Sequence, residues 1–237
     1  SIIENAASDP EIVDFVHLLQ KMGADVEGAG TRTVRIRGVE KLRGAEHEVM
    51  YDRLDAGMLM IAGAITGGDI RLQGVELDHL GIFTAKLQQM GVQTVQDGNW
   101  LRVKGPEALS PINVVTTFYP GFPTDLQPCI MALSCVAKGD SYVRETVFEN
   151  RLGHVKNLRA FGAQLSPEKD NLVIVHGPAR LKGCQVRALD IRAGAACVLA
   201  GLAAEGRTSI HNLYQLDRGH ANLEDRLRGL GAKLERL

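Results

Sequence analysis

Four glycines divide this chain at nearly even intervals: Gly23, Gly91, Gly162 and Gly231, spaced by 68, 71 and 69 residues. Each closes an amphipathic stretch. Phe15, Leu18, Leu19 and Met22 lead into the first, and Phe83, Leu87 and Met90 into the second. Val155, Leu158 and Phe161 lead into the third, and Leu223, Leu227 and Leu230 into the fourth. Apolar positions three and four apart predict helices that bury one stripe, and a glycine after the stripe predicts their stop. Extended segments are expected after the first three, at Thr33 to Arg37, Trp100 to Val103 and Leu172 to Val175; after the fourth, six residues remain. A period near 70 residues is too long for a solenoid and fits a tandem supersecondary unit.

Between these amphipathic stretches lies a second kind. Residues 56–66 (AGMLMIAGAIT), 127–137 (QPCIMALSCVA) and 193–204 (AGAACVLAGLAA) are apolar on every side and rich in small residues. Helices of that kind must be buried all round. Each is followed by a glycine and a short extended segment, at Asp69 to Gln73, Asp140 to Arg144 and Thr208 to Asn212. Buried helices with half-buried strands outside them predict an inside-out α/β domain. A doubly wound fold would bury its strands instead. No glycine-rich phosphate loop of the Rossmann or P-loop type is present.

Composition narrows the function classes. The 237 residues suffice for one large domain or two small ones, with 45% hydrophobic but 5% aromatic residues to build the core. A net charge of -1 and a pI of about 6.6 predict no nucleic-acid and no membrane partner, so any anion site must rest on a few local arginines. No run reaches the roughly 18 apolar residues of a membrane span. Cys129, Cys135, Cys184 and Cys197 lack metal-ligand spacing and read as buried thiols of a reducing, cytoplasmic protein. The chain opens on Ser1 and enters a helix at Ser8-Asp9-Pro10-Glu11, which reads as a cut chain.

Charge precedes each buried helix. Asp52, Arg53 and Asp55 stand before the first, Thr124 and Asp125 before the second, Asp190 and Arg192 before the third. If the three helices are parallel around a pseudo-threefold axis, these groups converge at one end. Three positive helix ends with arginines would then hold an anion, and the carboxylates beside them would orient or deprotonate a hydroxyl. The alternative is three helix caps with local ion pairs. Asp217-Arg218-Gly219 is a fourth charged turn.

Several segments together resemble one family. FPTDLQ (Phe122 to Gln127), ETVFENR (Glu145 to Arg151), the D-x-R at Asp190 to Arg192 and LDRGH (Leu216 to His220) resemble the UDP-N-acetylglucosamine 1-carboxyvinyltransferases (the MurA family). The opening IIENAASDPEIVD and the closing LEDRLRGLGAKLERL do so as well, and the likeness runs over essentially the whole chain. The resemblance implies transfer of enolpyruvyl from phosphoenolpyruvate to the 3-hydroxyl of UDP-N-acetylglucosamine, the first committed step of peptidoglycan synthesis. It implies a fold of two inverse α/β barrels of three repeats each, with the active site between them and no cofactor or metal. Residues 1–49 would be the trailing part of a truncated first domain. Residues 50–237 would be a complete three-repeat inverse α/β domain carrying the sugar-side half of the cleft.

By the same resemblance, Asp125 is the base that binds the sugar hydroxyl, and Asp190 is a second acid near the reacting carbons. Thr146, Val147 and Phe148 lie near the nucleotide sugar, Arg151 is structural or cleft-lining, and Arg192 and Arg218 bind phosphoenolpyruvate. An arginine fork suits that ligand on chemical grounds alone, because it pairs with carboxylate or phosphate at two points. The family's Lys/Asn pair and its loop cysteine have no counterpart here, so the chain is expected to be an inactive fragment that pairs with a missing N-terminal segment. Departures at Pro128-Cys129, Gly153 and Gly194-Ala195 bear on packing. The alternatives are a 3-phosphoshikimate 1-carboxyvinyltransferase, which should have a more basic cleft, and a non-catalytic nucleotide-sugar-binding domain.

Overall fold

In the computed structural model, which describes residues 1–237, all four periodic glycines adopt positive φ, between 89° and 99°. That left-handed backbone ends a helix, and a Cβ would strain it. The chain begins with β1 (Ile2–Glu4), α1 (Pro10–Lys21), β2 (Asp25–Glu27) and β3 (Thr33–Arg37), the strands ordered β1-β3-β2. Next come α2 (Arg53–Ile65), β4 (Asp69–Gln73), α3 (Gly81–Gln89), β5 (Gln93–Asp97) and β6 (Trp100–Lys104), an antiparallel sheet ordered β4-β6-β5. Then follow β7 (Asn113–Val115), α4 (Gln127–Ser134), β8 (Asp140–Arg144), α5 (His154–Ala160), β9 (Gln164–Pro167) and β10 (Leu172–His176), with sheet order β7-β8-β10-β9. The last elements are β11 (Gln185–Arg187), α6 (Ile191–Ala203), β12 (Ser209–His211), α7 (Tyr214–Asp217) and α8 (Leu223–Gly229), with β11 and β12 parallel.

The architecture is mixed α/β. Helices α2, α4 and α6 touch one another and lie within one apolar cluster of 48 buried residues that begins at Ala56. Small residues permit that approach. At Gly194 a Cβ would fall 2.9 Å from Leu216 Cγ and 3.1 Å from Ala188 Cβ. The strands β4, β6 and β8 alternate exposed and buried, so each sheet turns one face to this cluster and the other to solvent. Val16, Val26 and Val34 make a separate small cluster between α1 and its sheet.

Two details differ from the sequence expectation. Helix α4 stops at Ser134 rather than at residue 137: the Val136 and Ala137 N–H groups bond only three residues back, to the Leu133 and Ser134 carbonyls, and the Lys138 N–H turns to the Leu109 carbonyl at 2.8 Å. The third sheet has two strands where its counterparts have three and four. Beside it runs a groove of about 790 Å³ with an apolar floor that includes Leu202, Leu213 and Leu227 and a charged border that includes Arg207, Glu224 and Arg236. No helix is long and apolar enough to cross a membrane. Cys129, Cys135 and Cys197 are buried, and burial pushes their thiols up to about 12, about 12 and about 11, whereas Cys184, expected to be buried with them, is only partly covered.

Candidate functional site

Three segments meet at one end of α4 and α6. They are the 3-10 turn Thr124–Leu126, the loop from Glu145 to Arg151 after β8, and the first turn of α6. Asp125 sits inside the turn and makes no cap bond to α4, so the alternative reading of it as a plain N-cap does not hold. Two features explain this. The extended residue that starts the turn is Pro123, and Pro128 at the head of α4 has no N–H to be capped. The carboxylate instead accepts Arg151 Nη2 at 2.7 Å and lies 3.7 Å from Arg192 Nε.

Arg151 is held on three sides. Its Nη1 donates to Thr124 Oγ1 at 2.8 Å, its Nη2 to Asp125, and its guanidinium lies over the Phe148 ring, 4.4 Å from the centroid. Asp190 is a true cap: Oδ1 accepts from the Ala193 N–H at 2.8 Å, while Oδ2 accepts from Arg192 Nη2 at 3.1 Å. Arg192 is buried, with Nη1 unpartnered within the protein. Burial draws its guanidinium below the usual range and Arg151 acts the same way, against Asp190, Asp125 and Glu145; it remains a cation. The side chains of Asp125 and Asp190 are 40% and 46% exposed and that of Arg192 10%, so the acids face outward over a recessed positive charge. Such an arrangement can hold an anionic ligand while presenting a carboxylate to a hydroxyl.

The remaining expected residues divide. Thr146 is exposed, its N–H donates to Thr116 Oγ1 at 2.9 Å and its hydroxyl donates to the Thr116 carbonyl. Val147 is half-buried and Phe148 exposed, both on the loop that carries Arg151. Arg218 makes no hydrogen bond or ion pair with this cluster: it is exposed, and its guanidinium reaches Gln215 Oε1 at 3.3 Å. Nor do the three charged groups converge. Asp52 caps α2 through the Leu54 and Asp55 N–H groups at 2.8 and 3.0 Å. Arg53 pairs with Asp9 and Glu11 at 2.8 and 2.9 Å, and Asp55 accepts from His220 Nδ1 at 2.6 Å and from Arg226. Charges on α1 and on α8 and the turn before it thus claim the first group, leaving the second and third to form the cluster.

Sequence reasoning passed over Glu145, Thr116 and His154. Glu145 is 1% exposed, and its carboxylate accepts from Thr116 Oγ1 (2.8 Å), Thr124 Oγ1 (2.7 Å) and the N–H groups of Val147 (2.8 Å) and Phe148 (3.2 Å). Its signal was the first letter of ETVFENR, an acid closing an otherwise apolar-alternating strand. His154, three residues past Arg151, starts α5 fully buried with Nε2 unpartnered.

Residues 1–227 match the family described as EPSP synthase (3-phosphoshikimate 1-carboxyvinyltransferase). A relative named UDP-N-acetylglucosamine 1-carboxyvinyltransferase 1, from Caldanaerobacter subterraneus subsp. tengcongensis, is 50% identical over 236 residues, covering 100% of this chain and 57% of its own. A UDP-N-acetylglucosamine 1-carboxyvinyltransferase of Trichlorobacter lovleyi is 51% identical over 237 residues, covering 100% and 56%. Among solved structures, the enolpyruvyl transferase NikO from Streptomyces tendae matches with a TM-score of 0.88 at 30% identity, over 98% of this chain and 56% of that one. EPSP synthase from Acinetobacter baumannii matches at 0.72 and 21% identity over 94% and 55%, a likeness of fold alone. The chain spans little more than half the length of the curated relatives it matches.

Proposed function

The chain belongs to the EPSP synthase family of enolpyruvyl (1-carboxyvinyl) transferases, and from that premise we propose that its protein transfers enolpyruvyl from phosphoenolpyruvate to the 3-hydroxyl of UDP-N-acetylglucosamine, in peptidoglycan precursor synthesis. This chain supplies the sugar-side half of the cleft, and the rest of the relatives' length supplies the remainder. The observation that carries the reading is Asp125, clamped by Arg151 at 2.7 Å beside the recessed Arg192 and open to solvent. The names of the two relatives near 50% identity favour the nucleotide sugar over shikimate 3-phosphate as acceptor.

In the proposed reaction Asp125 takes the proton of the sugar hydroxyl, whose oxygen bonds to the enol carbon as the methylene carbon gains a proton. Loss of that proton and cleavage of the carbon–oxygen bond to phosphate then give the enol ether and inorganic phosphate. Arg192 and Arg218 meet the phosphoenolpyruvate charge, Asp190 orients Arg192, and Thr146, Val147 and Phe148 border the sugar. Burial argues against Cys129, Cys135 and Cys197 as the acid for the methylene, since a reactive thiol needs an electropositive, accessible setting. The partly covered Cys184 lacks that setting too, its thiol being raised by burial with no cation acting on it. The acid is therefore assigned to a part of the protein outside this chain.

The same reading makes residues 50–237 an inverse α/β barrel of three repeats, with α2, α4 and α6 at its centre. The mutual packing of those helices and the half-exposed sheets support it. The separate cluster of Val16, Val26 and Val34 supports assigning residues 1–49 to the other domain. The groove beside the two-stranded third sheet supports pairing with a further segment of the same protein. Buried thiols fit a cytoplasmic setting.

The test is phosphate release by the full protein from phosphoenolpyruvate and UDP-N-acetylglucosamine. Asp125→Asn should lower kcat by roughly 10²- to 10⁴-fold while sugar binding weakens modestly. An unchanged rate removes Asp125 from the role of base. Turnover of shikimate 3-phosphate instead makes the protein the other family member, and sugar binding without phosphate release makes it a binding module.

A further inference from the structure

Glu145 is a buried carboxylate with no solvent face and no cation in direct contact, yet both its oxygens are engaged. Oε1 takes two backbone N–H groups and the Thr116 hydroxyl, and Oε2 takes the Thr124 hydroxyl, so every partner of this carboxyl group donates to it. The proton on Thr124 Oγ1 therefore points at Glu145 Oε2, 2.7 Å away. That direction leaves the Thr124 oxygen lone pairs free for Arg151, whose Nη1 donates to it at 2.8 Å. The other arm of the same guanidinium, Nη2, grips Asp125 at 2.7 Å. The other carboxylate oxygen, Oε1, accepts the N–H groups of Val147 and Phe148 and so fixes the loop whose aromatic ring underlies Arg151.

We infer that Glu145 is a positioning residue for Asp125, acting through the relay Glu145–Thr124–Arg151–Asp125. It touches neither the reacting hydroxyl nor phosphoenolpyruvate. Its work is to polarise one hydroxyl in one direction, so that the arginine fork has a single seat and the aspartate a single orientation. The kinetic part of this inference rests on the proposed transferase reading.

Two shape-conserving variants isolate the relay. In Glu145→Gln the amide N–H can face Thr124 Oγ1, where it competes with Arg151 for the oxygen and deprives the threonine proton of its acceptor. Thr124→Val keeps the side-chain outline and removes the hydroxyl, whereas Thr124→Ser keeps the hydroxyl. In the full protein, assayed by phosphate release, E145Q and T124V should each lower kcat roughly tenfold to a hundredfold with the KM for phosphoenolpyruvate unchanged. The double variant should be no slower than either single one, and T124S should restore most of the rate. An unchanged kcat in E145Q, or losses that multiply in the double variant, overturns the inference and leaves the transferase reading standing. Should the wild-type protein release no phosphate, that reading falls instead, and the relay is judged by denaturant unfolding. Non-additive losses of stability in the same two variants keep it, and additive losses overturn it.

Discussion

His154 has no route to water, and that sets how the folded chain responds to acid. Burial, with the nearby Arg192 acting in the same direction and Asp190 against it, lowers its imidazole to about 3. In the unfolded chain an imidazole takes its proton near pH 6.5. Between those two values the unfolded state binds more protons, so the stability associated with a neutral His154 is complete above about pH 6.5 and is lost as pH falls toward 3. The slope is at most about 1.4 kcal/mol per pH unit. Carboxylates contribute later. Asp55 and Glu11 are each raised by burial, but His220 and Arg226 for the first and Arg53 for the second bring them below the usual range. Their contributions are lost progressively below about pH 5, as unfolded carboxylates protonate. The window from about pH 6.5 to 5.5 therefore lies above the carboxylates and carries the histidine's contribution. Urea unfolding of His154→Gln across that window should show a flatter pH dependence than the wild type; a slope unchanged from wild type would place the source elsewhere.

At the level of elements, the period of the chain was readable because glycine and helical spacing leave marks that tertiary contacts do not erase. The strands at 69–73 and 140–144 fall where the glycine after each buried run placed an extended segment. The roles of the acids before the buried helices were not readable in this way. Asp52, Asp125 and Asp190 stand in similar sequence settings, yet Asp52 and Asp190 cap their helices and Asp125 does not. The difference lies in backbone: φ and ψ at Asp52 and Asp190 are extended, as a cap requires, whereas Asp125 lies within a 3-10 turn. Stability should separate the two cases. Asp52→Ala leaves the Leu54 and Asp55 N–H groups without their acceptor and should cost about 1 kcal/mol. Asp125→Asn removes no cap, so its denaturant midpoint should stay closer to wild type. Equal losses in the two variants would mean that Asp125 supports α4 after all.

Across the whole molecule, the two apolar clusters meet through a charged residue, a feature hidden from sequence because its partners lie 42 and 44 positions away. Arg53, in the first turn of α2, has a buried side chain whose guanidinium reaches back to Asp9 and Glu11 at the start of α1 and lies 5.5 Å from the Tyr119 ring centroid. From sequence, Arg53 read as part of a converging anion site; the fold uses it as a joint. Its partners keep access to water, the Asp9 side chain being 27% exposed and that of Glu11 50%, so neither is stranded when the arginine is removed. Arg53→Met, which keeps an unbranched apolar stem and removes the guanidinium, should therefore leave the larger cluster intact while loosening α1 from it. Native-state hydrogen exchange can tell these apart. Charge-assisted hydrogen bonds contribute about 1.5–3 kcal/mol each, so α1 amides should exchange at least tenfold faster in the variant. Amides in the middle of α2, around Met60 and Ile61, sit in a core that does not depend on this pair and should keep their protection. Equal acceleration in both helices would instead show that residues 1–37 and the larger cluster open as one unit, with Arg53 supporting the whole rather than joining two parts.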